Sequence, residues 1–315
     1  MKVHEVPVLL MGFNRADKAS VVFDAIRKVG SQRLFIAVDG PRAAVPADLE
    51  KCAQVRALAS EVDWPCEVRT LFQPANLGCR RGVAAAITWF FDQVEAGILL
   101  EDDVVPDPAF FEFCSQMLER YRNEERVAMV AGFNPWSGGR MKYSYAFSSY
   151  SHIWGWATWR RAWQKYDVDL VEYGQTRDLE FLSRVPTMSP RARAMWRAIF
   201  DDIIAGRTDT WDHQWFYTML RNQTLAVLPE VNLVRNIGYG SEATHTKGVA
   251  PQWVTNSFPG SILGTLRHPD VIVVDKTLEA RIARELFLLT PWNELKFRIK
   301  SCLGKIWLGI GSGVT

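Results

Sequence analysis

The first hundred residues alternate short apolar runs with helical stretches, and this order restricts the chain to a small group of folds. Strands that alternate with helices pair in parallel through helical crossovers, so the pattern predicts an α/β fold with a mainly parallel mixed sheet flanked by helices. Right-handed crossovers place the loops that follow these strands on one rim of the sheet. The predicted strands are 6–13, 33–39, 66–72 and 97–103, and the predicted helices are 17–29, 47–61 and 78–92.

Three adjacent carboxylates, Glu101, Asp102 and Asp103, end the fourth apolar run. Open α/β sheets bind their ligands at the carboxyl ends of strands, so these acids are predicted to lie at a ligand-binding edge. Like charges this close repel one another unless a cation arrives, and Mg²⁺ or Mn²⁺ prefers carboxylate and phosphate oxygens. The residues alone leave two alternatives open, a cation site that carries a diphosphate and a solvated acidic turn before a helix that begins near Pro108.

The loops after the other predicted strands bring further polar residues to the same rim. Arg15 follows the first strand, Asp39 follows the second, and Asn76 precedes the third helix. A guanidinium beside phosphate and a carboxylate beside a base or ribose suit a nucleotide. Neither GxGxxG nor GxxxxGK[ST] follows the first strand, which argues against a dinucleotide fingerprint and against a P-loop.

The second half of the chain contains three further candidate residues. Trp156 follows a glycine in an aromatic block and is either a sugar-stacking ring or plain core. Asp212 stands at the start of a predicted helix, where it either caps the helix or acts as a general base on an acceptor hydroxyl. His245 lies in a glycine-containing loop and is either an ordinary loop residue or a ligand that completes the shell of a carboxylate-bound metal.

Composition limits the class of partner. The 315 residues include 37 basic and 35 acidic side chains, and a net charge of +2 gives no reason to expect nucleic acid. Five scattered cysteines without a CxxC pair fit a reducing compartment. With no apolar leader and no spanning segment, the chain is expected to be cytoplasmic.

The predicted organisation is one large domain with a short tail. Residues 1–290 are expected to form that domain, with a nucleotide-binding half at 1–125 and an acceptor and catalytic half at 126–290. Residues 291–315 alternate basic and apolar side chains. This tail is predicted either to contact lipid headgroups at the inner face of the plasma membrane or to dock as a terminal helix on the domain.

Taken in order, these segments resemble the GT-A fold (Rossmann-like) nucleotide-sugar glycosyltransferases related to the eukaryotic N-acetylglucosaminyltransferase I family, as a bacterial-type member. The likeness extends from about residue 6 to residue 246. The segments that carry it are Phe13-Asn14-Arg15, Asp39, Glu101-Asp102-Asp103 with the following Pro106-Asp107 and Phe110-Phe111, Trp154-Gly155-Trp156, Trp211-Asp212-His213-Gln214-Trp215 and 238–245.

On the donor side, the resemblance implies a bound UDP-sugar and a divalent cation, Mn²⁺ or Mg²⁺. Asp103 would bind the metal directly. His245, in a loop whose order also matches the family, stays the second candidate ligand on the chemistry of imidazole. The donor-binding residues implied with them are Glu101 and Asp102 on the ribose and sugar, Arg15 on the nucleotide, Asp39 on the uracil side, and Asn76 and Trp156.

On the acceptor side, the resemblance implies that Asp212 is the catalytic base of an inverting transfer to a hydroxyl of a glycan or lipid-linked acceptor in surface polysaccharide assembly. His213 and Gln214 depart from the family pattern, which has one further acid there. Two other classes are weighed against this one, a nucleotidyltransferase that makes sugar nucleotides and a GT-A-like binding protein without catalysis. The first usually has a glycine-rich basic loop after its first strand, which this chain lacks.

Overall fold

The computed structural model of the protein describes residues 2–134, 141–239 and 265–286. Contacts divide the chain into two units, Met1–Val168 with Thr210–Val273 and Asp169–Asp209 with Val274–Thr315. The predicted halves 1–125 and 126–290 stay a prediction, and the predicted tail 291–315 lies outside the described residues. The elements in chain order are β1 (Val8–Gly12), α1 (Ala16–Val29), β2 (Arg33–Val38), α2 (Ala47–Ala57), β3 (Glu67–Phe72), α3 (Gly78–Phe91), β4 (Ala96–Glu101), β5 (Val104–Pro106), α4 (Pro108–Arg120), β6 (Val127–Ala131), β7 (Tyr145–Ser148), β8 (Trp156–Trp159), α5 (Arg160–Trp163), α6 (Val171–Thr176), α7 (Pro190–Ile204), α8 (Asp212–Arg221), β9 (Leu225–Pro229), β10 (Val234–Asn236) and α9 (Lys276–Arg281).

The first unit is built on an eight-stranded sheet in the order β3-β2-β1-β4-β8-β6-β9-β7. Strands β1 to β4 pair in parallel with one another, and β6 pairs in parallel with β9. Strand β8 is antiparallel to both β4 and β6, and β7 is antiparallel to β9. Helix α1 packs against α2 and α4, and α3 packs against α5. The predicted α/β class, a mainly parallel mixed sheet flanked by helices, is confirmed.

The central strands β1 and β4 are apolar up to Glu101, the last residue of β4, because both of their faces are covered. Leu9 and Leu10 of β1 and Leu99 and Leu100 of β4 are at most 1% exposed. Such continuous burial is typical of parallel strands between two helical layers. Because β1, β2 and β4 run parallel, the loops that follow them lie at one edge of the sheet.

A second, two-stranded sheet lies beside this edge. Strand β10 pairs antiparallel with β5, with Asn236 opposite Val104. The backbone N–H of Asp107 donates to the carbonyl of Leu233 (2.9 Å), which extends the pairing to the start of α4. That helix begins at Pro108, as predicted, since the Asp107 carboxylate caps it by accepting from the Ala109 N–H. The small sheet therefore brings residues 234–239 next to the segment that follows β4.

The second unit contains α6, α7 and α9. Ser189 caps α7 and Pro190 is its first residue, a combination that favours a helix start. Helix α7 has Arg191 and Arg197 exposed and Trp196 buried. Within the described ranges, no helix is long and apolar enough to cross a membrane.

Candidate functional site

The three acids form a turn between β4 and β5. Glu101 is the last residue of β4, and Asp102 and Asp103 make the turn that leads into β5. The Asp102 side chain is buried, and that of Asp103 is partly exposed. Two oxygens, Glu101 Oε1 and Asp102 Oδ2, are buried with no hydrogen-bond partner among the described residues. Burying an unpaired carboxylate oxygen is costly, so these atoms mark a position that suits a positive group. We call residues 101–103 the acid turn.

Arg15 provides the positive charge at the acid turn. It is the N-cap residue of α1, in the loop that follows β1. Its Nη2 donates to Asp102 Oδ1, and its Nη1 lies 2.9 Å from Asp103 Oδ2. One guanidinium thus bridges two carboxylates whose sequence positions lie far from its own.

The pKa values at the acid turn follow from burial and from the surplus of negative charge. Burial raises the pKa of Glu101 well above its usual range, and the charges of Asp103, Asp102 and Asp212 raise it further. Burial also raises the pKa of Asp102, although Arg15 opposes the shift. Burial works against the charge of Arg15, but Asp102 and Asp103 more than offset it and raise the pKa of the guanidinium. A further cation would stabilise the ionised acids.

Asp212 is the first residue of α8, and its charge acts on Glu101. The N-cap of the helix is Trp211, and the Asp212 carboxylate accepts from the Thr210 hydroxyl through Oδ1, so the alternative that Asp212 caps the helix is not what the structure has. Its other oxygen, Oδ2, lies 4.0 Å from His213 Nε2. The side chain is 32% exposed. A carboxylate held through one oxygen and reachable through the other has the form of a general base.

An aromatic cluster supports the segment that carries Asp212. The Trp156 ring stacks on that of Trp211 with 5.8 Å between ring centroids and 17° between planes, and Trp215 lies 5.4 Å from it. The Tyr166 hydroxyl donates to the carbonyl of Trp211 (3.1 Å). Trp156 is only 1% exposed, so packing beneath Trp211 is the role that its contacts give it. A contact of Trp156 with a donor stays a prediction.

Two of the predicted donor-binding residues, Asp39 and Asn76, meet at the start of α3. The Asp39 carboxylate accepts from Asn76 Nδ2 (2.9 Å) and from the backbone N–H groups of Leu77 and Gly78. The backbone N–H of Asp39 donates to the carbonyl of Gly12 (3.0 Å), which ties the end of β2 to the end of β1. These contacts hold the rim loops in place, and a role for Asp39 and Asn76 in nucleotide binding stays a prediction.

The segment after β10 closes on the acid turn from the other side. The Ile237 N–H donates to the carbonyl of Asp103 (2.8 Å), and the Asn236 side chain accepts from the Gly238 N–H (2.7 Å). A Cβ added at Gly238 would lie 2.0 Å from Asp103 Oδ2. Only a glycine allows the backbone to pass this close to the carboxylate.

Two features that hold the segment after β10 beside the acid turn were not predicted from the sequence. Lys18 Nζ of α1 donates to the carbonyl of Ile237 (3.1 Å), and the pairing of β5 with β10 sets the course of the segment. A lysine one turn after Arg15 is the only sequence signal for the first, since 219 positions separate Lys18 from Ile237. The predicted metal ligand His245 lies outside the described residues.

The acid turn offers carboxylate oxygens, which Mg²⁺ and Mn²⁺ prefer, and a bound cation there stays a prediction. Within the described residues, no group of three or more His, Cys, Asp or Glu side chains is arranged to hold a metal ion. Mg²⁺ commonly takes only one or two carboxylates from the protein and the rest of its ligands from substrate phosphates and water. The orphaned oxygens of Glu101 and Asp102 and the partly exposed Asp103 fit that pattern.

Comparisons with known proteins give general likenesses only. No protein-family model matches the sequence, and no curated protein matches it. Among solved structures, the inositol-1-phosphate CTP transferase from T. maritima is 7% identical over 72% of this chain and 85% of its own, with a TM-score of 0.38. Mouse xyloside xylosyltransferase 1 in its apo form is 10% identical over 69% and 81%, with a TM-score of 0.32.

A glycosyltransferase involved in the glycosylation of the major capsid of PBCV-1 is 7% identical over 70% of this chain and 92% of its own, with a TM-score of 0.29. Sequence identities and TM-scores this low give no information about the roles of individual residues. The resemblance to the N-acetylglucosaminyltransferase I family therefore stays a prediction, and the roles of the site residues rest on their own contacts.

Proposed function

We propose that this protein is a transferase that binds a nucleotide sugar at the acid turn and moves the sugar, with inversion, from a UDP-sugar to a hydroxyl of a glycan or lipid-linked acceptor. The observation that supports it best is the joint placement of Arg15, Asp102 and Asp103 at the carboxyl end of β4. The Asp212 charge acts on Glu101 of the same turn. Arg15 and a cation held by the acid turn would suit a diphosphate, and the Asp212 carboxylate would suit removal of a proton from the acceptor hydroxyl.

In the proposed reaction, Asp212 accepts the proton of the acceptor hydroxyl through Oδ2, because the Thr210 hydroxyl already engages Oδ1. The hydroxyl oxygen forms the new bond to the anomeric carbon while the bond from that carbon to the diphosphate oxygen breaks. The electron pair of the broken bond leaves with the diphosphate. Attack from the face opposite the leaving group inverts the anomeric centre.

The leaving diphosphate needs positive charge, and two groups would supply it. Arg15 would bind phosphate oxygens through its planar fork, an interaction that favours the departing charge. A bound Mn²⁺ or Mg²⁺, held through Asp103 with Glu101 and Asp102 facing the ribose and sugar, would neutralise that charge as a Lewis acid. The aromatic cluster beneath Trp211 would keep Asp212 in place, since small displacements of a catalytic group are costly in rate.

Ligand-induced thermal stabilisation tests the donor site. We expect UDP and one or more UDP-sugars to raise the Tm only when Mn²⁺ is present, because a ligand of the native state stabilises it by mass action. Asp103→Asn should remove this shift, whereas Asp63→Asn, a matched change at an exposed residue, should keep it. A full Mn²⁺-dependent shift in Asp103→Asn would contradict the metal-binding role.

Turnover tests the base. Asp212→Asn should keep the Mn²⁺-dependent shift with UDP but lower sugar transfer or UDP-sugar hydrolysis by about 10²–10⁴-fold. Unchanged turnover would move the role of base to another group. The same assay separates the rival classes: pyrophosphate release from a nucleoside triphosphate and a sugar phosphate would identify a nucleotidyltransferase, and no response to any nucleotide would identify a binding protein.

A further inference from the structure

Arg15 uses the same carboxylate oxygens that the proposed function gives to a metal ion and a donor. Its Nη1 is 2.9 Å from Asp103 Oδ2, and its Nη2 donates to Asp102 Oδ1. The three side chains are largely shielded from water, with 18% of Arg15, 14% of Asp103 and 4% of Asp102 exposed. The guanidinium is therefore a shielded counter-cation of the acid turn.

A guanidinium and a divalent cation compete at such a place. Both are attracted to Asp103, and the two cations repel each other at contact distance, more strongly in a shielded site than in bulk water. The acid turn nevertheless keeps an oxygen that can accept a further positive group, since Asp102 Oδ2 has no hydrogen-bond partner among the described residues and its side chain is almost wholly buried. A second cation can thus be accepted if the first has another anion to bind.

A diphosphate is the anion that would satisfy Arg15. The guanidinium fork binds phosphate as readily as it binds carboxylate, and the side chain starts from the N-terminus of α1, where a negative group is favoured. Moving from carboxylates to phosphate would release Asp103 for the metal.

We propose that Arg15 is the resident counter-cation of the acid turn and couples the binding of the divalent cation to that of the nucleoside diphosphate. In the free protein, Arg15 holds Asp102 and Asp103 and opposes the metal. When a diphosphate binds, Arg15 transfers to it and the metal takes Asp103, so each ligand strengthens the binding of the other by the same factor. This inference rests on the proposed function, which places both ligands at the acid turn.

Calorimetric titration of Mn²⁺ into the 315-residue protein, without and with saturating UDP, tests the coupling. In the wild type, UDP should tighten Mn²⁺ binding by about tenfold or more. In Arg15→Gln, Mn²⁺ alone should bind about fivefold more tightly than in the wild type, and the further tightening by UDP should fall below about threefold. Lys28→Gln removes one charge from the exposed far end of the same helix and should behave as the wild type.

Arg15→Lys keeps the charge but loses the fork that bridges two carboxylates, so its affinity for Mn²⁺ alone should lie between those of the wild type and Arg15→Gln. It also keeps the test decisive if Arg15→Gln does not fold. The inference is overturned if neither variant binds Mn²⁺ alone more tightly than the wild type while UDP still tightens Mn²⁺ binding in both. Failure of the proposed function has a different signature: the wild type itself would bind Mn²⁺ equally with and without UDP, or not at all.

Discussion

We expect Gly238→Ala to displace the Asp103 carboxylate of the acid turn, because the added methyl group would overlap with it. The added Cβ would lie 2.0 Å from Asp103 Oδ2 and 3.0 Å from the Asp103 Cβ. Ordinary contacts are about 3.5 Å or longer, so one partner must move by more than about 1 Å. Hydrogen bonds to the Asp103 carbonyl and to the Asn236 side chain fix the backbone around Gly238. The Asp103 carboxylate is the part that must give way.

Two effects of this substitution can be estimated. Overpacking in an ordered region costs about 1–3 kcal/mol of the free energy of unfolding. Displacing Asp103 by about 1 Å also breaks its ion pair with Arg15 and should weaken Mn²⁺-dependent UDP binding and lower turnover by about 10²-fold, as other misplaced catalytic groups do. A 10²-fold loss corresponds to about 2.7 kcal/mol, near the upper end of the range expected for the loss of stability, so the two effects have to be measured separately.

Urea unfolding and calorimetric titration of UDP in the presence of Mn²⁺ measure the two effects separately. Gly174→Ala is the matched control: it lies in α6, and its added Cβ would meet only Ile204 Cδ1 at 3.7 Å, an ordinary contact. That variant should be more stable than the wild type by about 0.5–1 kcal/mol, because alanine replaces glycine within a helix, and should bind UDP normally. Wild-type stability and wild-type UDP binding in Gly238→Ala would refute the close-packing argument.

Two further predictions concern buried rings. Burial lowers the pKa of His152 to about 4, so the folded protein opposes protonation of this ring. Relative to His152→Gln, the wild type should therefore lose about 2 kcal/mol of the free energy of unfolding between pH 8 and pH 5. Urea unfolding at several pH values measures this loss, and parallel pH profiles of the two proteins would refute the prediction. Trp156→Phe should lower kcat while leaving Mn²⁺-dependent UDP binding intact, because it loosens Trp211 beneath the base, whereas Trp196→Phe, which loses a similar stack on Phe200, should lower only the Tm. Equal kcat values in these two variants would contradict a role for Trp156 in positioning Asp212.

The first half of the fold was predictable because its signals are local. Apolar runs that are largely buried indicated β1, β2 and β4, whereas the edge strand β3 is largely exposed. The alternation of strands with helices predicted the parallel pairing of all four. The boundaries shifted for identifiable reasons. Strand β1 begins at Val8 rather than at residue 6, because Val3–Glu5 forms a 3₁₀ turn and Pro7 has no N–H to donate. Strand β4 ends at Glu101 rather than at residue 103, because the next two residues make the turn.

The second half was less predictable because its order in space depends on distant partners. Strand β8 lies between β4 and β6. Its residues were recognised in the sequence only as an aromatic block, without a place in the sheet. Nothing local distinguishes a tryptophan that faces a ligand from one that packs under its neighbour, as Trp156 does under Trp211. The same limit applies to Arg15, whose attraction to phosphate was predictable from its loop, but whose ion pairs with Asp102 and Asp103 span more than eighty positions.

The way the acid turn is held explains how its charge partner can change at small structural cost. Its backbone is fixed independently of its side chains, through the hydrogen bond from the Ile237 N–H to the Asp103 carbonyl and through the β5 and β10 pairing that follows. Arg15, in contrast, holds the turn only through side-chain oxygens. Exchange of the guanidinium for another cation therefore requires rotation about side-chain bonds and no rearrangement of the sheet. The structural requirement for the proposed chemistry is thus a rigid turn with exchangeable charge, and Gly238 is the residue that lets the rigid part approach the carboxylate closely.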